Sequence, residues 1–183
     1  MDHIRSDTRP RDEPAAEPIR VLFVCLGNIC RSPLAEGVFL HLAREAGVAD
    51  RFEVDSAGTG HWHVGERPDS RAQAVARRHG VELPSLARQV TRADFDRFDY
   101  IVAMDRENLW DLERMAKETP GAEPRAKIRL LREDDPDRTA GDDRHDVPDP
   151  YYGGPSGFDA VYTMVHRSAK ALLERLLAEN PPR

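Results

Sequence analysis

Apolar and polar positions along the chain repeat with two alternating periods. Val21-Leu22-Phe23-Val24 is a continuous run of branched and aromatic residues that closes on Cys25, the pattern of a strand buried on both faces. The chain turns through Gly27 and Asn28, and Pro33 follows where proline suits the first turn of a helix. Leu34, Val38, Phe39, Leu42 and Ala46 recur at helical spacing, and Gly47 stands at a helix stop. Residues 51–56 alternate as a second strand, which breaks at Ala57-Gly58-Thr59-Gly60. Pro68 opens another helix through Ala72, Val75 and Ala76, ending at Gly80. Residues 98–104 predict a third core strand. Asp105 is the expected N-cap of a helix carrying Leu109, Leu112 and Met115, which Pro120 stops. Residues 127–131 form a short fourth strand, and 133–150 an acidic, proline-bearing loop. From Phe158 the set Val161, Tyr162, Val165, Ala169, Leu172 and Leu176 marks a long amphipathic final helix.

Strands alternating with helices predict an α/β fold, a parallel sheet covered on both faces. Ligands in such folds bind at the carboxyl ends of strands, near a switch in strand order. A first strand ending on Cys25 obeys that rule. Residues 1–18 lack apolar periodicity and read as a disordered N-terminal tail, leaving one domain over 19–180.

Composition narrows the function. A net charge of −6 disfavours a general binder of nucleic acid or anionic membrane. No apolar stretch approaches the roughly 18 residues of a membrane span, and the first residues lack the apolar core of a signal peptide. The two cysteines, Cys25 and Cys30, lie in one loop, so there is no disulfide framework and a cytoplasmic location is expected.

That loop carries the candidate chemistry. Between a strand end and a helix start, successive backbone N–H groups from Leu26 to Arg31 turn inward and the helix adds positive potential, so the loop suits an anion. The same field favours a thiolate at Cys25, and Arg31 adds a full positive charge. A nucleophile beside an oxyanion cradle suggests attack on a phosphate ester. The alternative is a buried structural cysteine with a surface arginine; the strand before the pair, the glycine within it and the Ser32-Pro33 that opens the helix favour the functional reading.

Cys25-Leu26-Gly27-Asn28-Ile29-Cys30-Arg31-Ser32, Asp55-Ser56-Ala57-Gly58-Thr59, Ala103-Met104-Asp105 and Asp149-Pro150-Tyr151-Tyr152-Gly153 together resemble the low-molecular-weight protein tyrosine phosphatases. The matched pieces keep the family's order from about residue 20 to the last helix, while the tail and the 133–147 loop depart from it. The resemblance implies a three-layer fold with a four-stranded parallel sheet, no cofactor or metal, and a phosphocysteine intermediate. Cys25 would be the nucleophile and Arg31 a bidentate clamp on two phosphoryl oxygens, which lysine cannot copy. A phenol leaves best when protonated, so an acid is needed opposite the nucleophile. By the resemblance that acid is Asp149, whose backbone Pro150 restricts; Asp146 is the rival.

The supporting residues follow from the same comparison. Ser32 would donate to the thiolate or cap the helix. Asn28 tolerates a left-handed conformation and can tie the loop together. By the resemblance its partner is a histidine matching His79, which alternatively serves the end of its own helix. The resemblance also implies a reversible Cys25–Cys30 disulfide on oxidation. Tyr151 and Tyr152 would form one wall of an aromatic slot, and Trp62 with His61 and His63 another. Relatives acting on phosphoarginine tend to carry threonine at the position of Ile29 and lack the paired tyrosines, so a phosphotyrosine protein or peptide is the expected substrate. Arsenate reductases of this fold need further cysteines, and a phosphoryl carrier has no use for an acid. A monomer or weak dimer is expected, with no nucleic-acid or membrane partner.

Overall fold

A computed structural model describes residues 16–118, 123–137 and 145–182. The expected tail lies almost wholly outside them, as does the helix stop at Pro120. Four strands, β1 (Ile19–Cys25), β2 (Phe52–Gly58), β3 (Tyr100–Ala103) and β4 (Lys127–Leu130), form one parallel sheet in the order β2-β1-β3-β4. The helices are α1 (Arg31–Glu45), α2 (Ser70–Arg78), α3 (Asp94–Arg97), α4 (Arg106–Lys117) and α5 (Pro155–Glu179).

The continuous apolar run of β1 works as a two-faced strand should. Val21 and Phe23 join the core that α1, α2 and α5 cover, whereas Leu22 and Val24 join a second core with Leu112 and Phe95. All four side chains are fully buried, each stabilising the fold by about 1.5–3 kcal/mol. The expected apolar face of α5 is buried from Phe158 to Leu176. The chain passes from β2 on one side of β1 to β3 on the other, so the switch in strand order lies at the carboxyl ends of β1 and β3.

Several boundaries differ from expectation for physical reasons. Pro68 precedes α2; the cap is Asp69, whose carboxylate accepts the Arg71 N–H at 2.9 Å. α5 starts at Pro155, where fixed φ suits the first turn, before its apolar stripe begins. β2 runs through Ala57 and Gly58, because both still pair with β1. The one-turn α3 and the 3-10 turns at Ala49–Arg51 and Leu131–Asp134 are too short to show a period.

Candidate active site

Cys25 ends β1, an inner strand of the sheet, and five residues separate it from the start of α1 at Arg31. The Asn28 N–H donates to Cys25 Sγ at 3.3 Å, and the Ser32 hydroxyl lies 3.0 Å from the same sulfur. Asn28 takes the left-handed conformation (φ 55°) expected of it. Its amide then holds three partners: Nδ2 donates to Ser32 Oγ at 2.8 Å and Ser56 Oγ at 3.0 Å, and Oδ1 accepts from the Arg88 N–H at 2.9 Å. Since Nδ2 can only donate, Ser32 accepts from it, and the one Ser32 proton is shared between Cys25 Sγ at 3.0 Å and the Ala57 carbonyl at 3.4 Å.

Close packing of β2 against the loop depends on glycine. A Cβ on Gly58 would fall 2.7 Å from the Leu26 carbonyl oxygen. Thr59 and Gly60 donate to the carbonyls of Cys25 and Leu26, and the Asp69 N–H donates to Ile29 at 2.7 Å. Those bonds occupy carbonyls on the outside of the loop. No side chain caps the N-terminus of α1, so its N–H groups remain for an anion.

Beneath the loop lies a carboxyl group that the sequence did not single out. Glu36 is 2% exposed and accepts from Ser56 at 2.6 Å and Ser85 at 2.5 Å. Burial pushes its carboxyl above the ordinary range despite these two donors.

Arg31 is 3% exposed. Its Nη1 donates to Asp105 Oδ2 at 2.6 Å and to the Val147 carbonyl at 3.0 Å, while Nη2 lies 3.7 Å from Asp149 Oδ2. Burial opposes its charge, but Cys25, Asp105 and Asp149 outweigh that cost and hold the guanidinium above its usual value. Asp105 does two jobs, for its other oxygen caps α4 by accepting the Asn108 N–H at 2.7 Å. Sequence revealed the cap but not the grip on Arg31, which joins residues 74 apart.

Cys25, Leu26, Gly27, Ile29, Cys30 and Arg31 meet Trp62, His63, Asp149, Tyr151 and Tyr152 around one cleft of about 340 Å³. Asn28 and Ser32 sit under the floor rather than in the lining. Tyr151 and Tyr152 make an edge-to-face pair with centroids 4.9 Å apart, and His63 faces Tyr151 at 6.4 Å. His61 stacks on Trp62 and is not in the lining. The Asp149 carboxylate is 39% exposed and accepts the Tyr151 N–H at 3.0 Å, a turn closed by its own side chain. Asp146 is engaged elsewhere, accepting the Arg106 N–H at the start of α4.

One expected pairing is corrected. His79 caps the end of α2 and stacks on Tyr162 with centroids 4.0 Å apart, whereas all the side-chain bonds of Asn28 go to Ser32, Ser56 and Arg88. The histidine at a helix end finds an aromatic neighbour on α5, and serines with a backbone N–H take its place beside the loop. Cys25 and Cys30 are both free thiols, and burial, with Asp69 adding, pushes the Cys30 thiol up. Among the described residues no cluster of His, Cys, Asp and Glu could hold a metal ion, and no helix is long and apolar enough to cross a membrane.

Comparison with known proteins gives a consistent result. Residues 20–181 match the model of the family described as low molecular weight phosphotyrosine protein phosphatase. A rat protein of that description is 46% identical over 155 residues, covering 85% of this chain and 94% of the relative. The crystal structure of a protein tyrosine phosphatase from Entamoeba histolytica superposes with a TM-score of 0.79 at 35% identity, covering 88% of this chain and 98% of that one. A Drosophila arginine phosphatase superposes with a TM-score of 0.76 at 38% identity, covering 88% and 100%.

Proposed function

The chain belongs to the low molecular weight phosphotyrosine protein phosphatase family and is a phosphoric monoester hydrolase; on that premise we propose how its own residues divide the work. The Cys25 thiolate attacks phosphorus, and the S–P bond forms as the bond to the tyrosyl oxygen breaks. Asp149 gives its proton to that oxygen, so a neutral phenol departs. Asp149, now a carboxylate, takes a proton from water as the water attacks phosphorus. The S–P bond breaks, releasing inorganic phosphate and restoring the thiolate.

Arg31 is clamped by Asp105 and Val147 through Nη1, which leaves Nε and Nη2 for two phosphoryl oxygens. Inward N–H groups of residues 26–31 take the remaining charge, a cradle formed before the substrate arrives. Ser32 donates to Cys25 and steadies the thiolate as it forms the leaving group of the second step. Ile29, Trp62, Tyr151 and Tyr152 form the slot for the phenyl ring. Peroxide would turn Cys25 into a sulfenic acid, which Cys30 captures as a disulfide with loss of water; a thiol reopens it.

The observation that carries this assignment is the shared cleft: Cys25 and Arg31 on its floor, Asp149 and Tyr151 on its rim. Because the fold also serves an arginine phosphatase, the substrate class needs its own test. Phosphate release from a phosphotyrosine peptide should exceed that from phosphoarginine and a phosphoserine peptide by about 10²-fold or more in kcat/KM. Faster release from phosphoarginine would overturn the proposed substrate.

A further inference from the structure

The acid-bearing segment reaches the cleft from residue 145 onward, with Val147 buried in the main core and a few polar bonds fixing the backbone around it. Val147 donates to the Met104 carbonyl at 2.7 Å, and Asp146 accepts the Arg106 N–H at 2.9 Å. Two further anchors are arginines. Arg31 takes the Val147 carbonyl at 3.0 Å, and Arg132 takes the neighbouring Asp146 carbonyl, also at 3.0 Å. Directly ahead, His145 has φ 44°, a left-handed conformation that a non-glycine residue keeps only where its surroundings hold it.

Arg132 is not a surface side chain that happens to reach the segment. It is 7% exposed, and its Nε donates to Asp135 at 3.1 Å. Asp135 is 2% exposed and is itself fixed by Nε and Nη2 of Arg167 on α5 and by the Asp137 N–H. The guanidinium therefore bridges a carboxylate secured to α5 and a carbonyl of the segment. A planar fork can span two such acceptors in fixed directions; an ammonium cannot. Asp149 lies two residues beyond the anchored Val147 carbonyl, and Pro150 after it restricts its backbone.

We infer that Arg132 is a positioning residue for the general acid, locking residues 146 and 147 so that Asp149 stands over the phosphate loop. The inference rests on Asp149 being the acid. Arg132 touches no reacting atom; it acts through the backbone, and its loss should let the carboxyl group drift from the leaving oxygen. A misplacement of about 1 Å in such a group can cost up to about 10²-fold.

The test is kcat/KM, which covers the steps through release of the first phenol, for phenyl phosphate and p-nitrophenyl phosphate. Arg132→Met keeps the aliphatic stem and leaves Asp135 paired with Arg167. It should lose about tenfold on phenyl phosphate, whose leaving phenol needs the proton, and less than about twofold on p-nitrophenyl phosphate. A smaller folded fraction would lower both substrates equally, so equal losses, or no loss, overturn the inference. Arg132→Lys, which keeps the charge beside Asp135, should show the same substrate dependence and is read in its place where the methionine variant does not fold. Asp149→Ala separates the two levels. If it shows the leaving-group dependence and the Arg132 variants do not, the inference alone falls. If Asp149→Ala shows none, the acid assignment falls and the inference with it. Arg132→Met added to Asp149→Ala should bring no further dependence.

Discussion

The phosphate loop and the acid-bearing segment meet over one cleft but are built on opposite plans. From Cys25 to Ser32 the chain is largely buried, and the supports around it are backbone groups, an amide and hydroxyls. Residues 145–152 come more than a hundred residues later and lie largely at the surface. The Asp149 carboxylate is 39% exposed and Tyr152 is 93% exposed. Two arginines paired with carboxylates hold this segment, Arg31 on the half-buried Asp105 and Arg132 on the buried Asp135. The machinery that stabilises charge is part of the core, where donors are fixed and water is scarce. The machinery that handles the proton sits on the rim, where water, the second substrate, must enter.

Breaking the loop should therefore cost activity on every substrate, and breaking the segment should cost selectively. The largest effect is expected from Cys25→Ser, which should remove turnover to below about 1% of wild type while phosphate still binds, since loss of a nucleophile typically costs many orders of magnitude. Phosphate release with a binding assay at the same pH checks both halves, and turnover well above that level would contradict the nucleophile. Asp149→Ala comes next. It should lose about 10²–10³-fold in kcat/KM on a phosphotyrosine peptide and much less on p-nitrophenyl phosphate, whose leaving group needs little help. Asp146→Ala, the matched control, should keep the wild-type ratio between the two substrates. If the two variants exchanged behaviours, the acid would have been placed three residues too late.

The smallest effects should appear in stability rather than rate, and they have opposite signs in the two regions. At Asp135, burial alone would raise the carboxyl, but Arg167, the Asp137 N–H and Arg132 together bring it down from 3.8 to about 2. Its contribution is present above the unfolded value and is lost as pH falls through the window from about 4 to about 2. Glu36, under the loop, is raised by burial above 4.5. Its contribution is present at low pH and is lost as pH rises through 4.5 toward its raised folded value. Urea midpoints measured against pH should show Asp135→Asn flattening the acid limb and Glu36→Gln flattening the decline above 4.5. Identical curves for both variants would contradict the opposed shifts.

The same contrast governs what was legible in the sequence. Cys25, Arg31 and the helix start lie within a few residues, so local pattern and chemistry reveal them together. β1 and α5 were readable because each has an apolar set long enough to show its period. Of the loop's supports, Asn28 and Ser32 were readable because they lie within it, and Ser56 stood in a matched segment without a role; Glu36, Ser85 and Arg88 come together only when the sheet forms and carry no motif of their own. His79 misled for the same reason: a histidine closing a helix does not reveal which side chain it will face, and that proved to be Tyr162. Asp149 was found through the resemblance alone, and Arg132 not at all. An arginine among acidic residues looks like a solvated charge until the fold encloses it.

The most direct test of the division between loop and segment is a rapid-quench experiment on Asp149→Ala with p-nitrophenyl phosphate. Formation of the phosphocysteine scarcely needs the acid with this substrate, but its hydrolysis needs the base. The expected result is a burst of p-nitrophenol close to one equivalent of enzyme, followed by slow turnover, with one phosphoryl group recovered on the peptide carrying Cys25. A variant that shows no burst, or carries its phosphoryl group on another residue, would contradict the account.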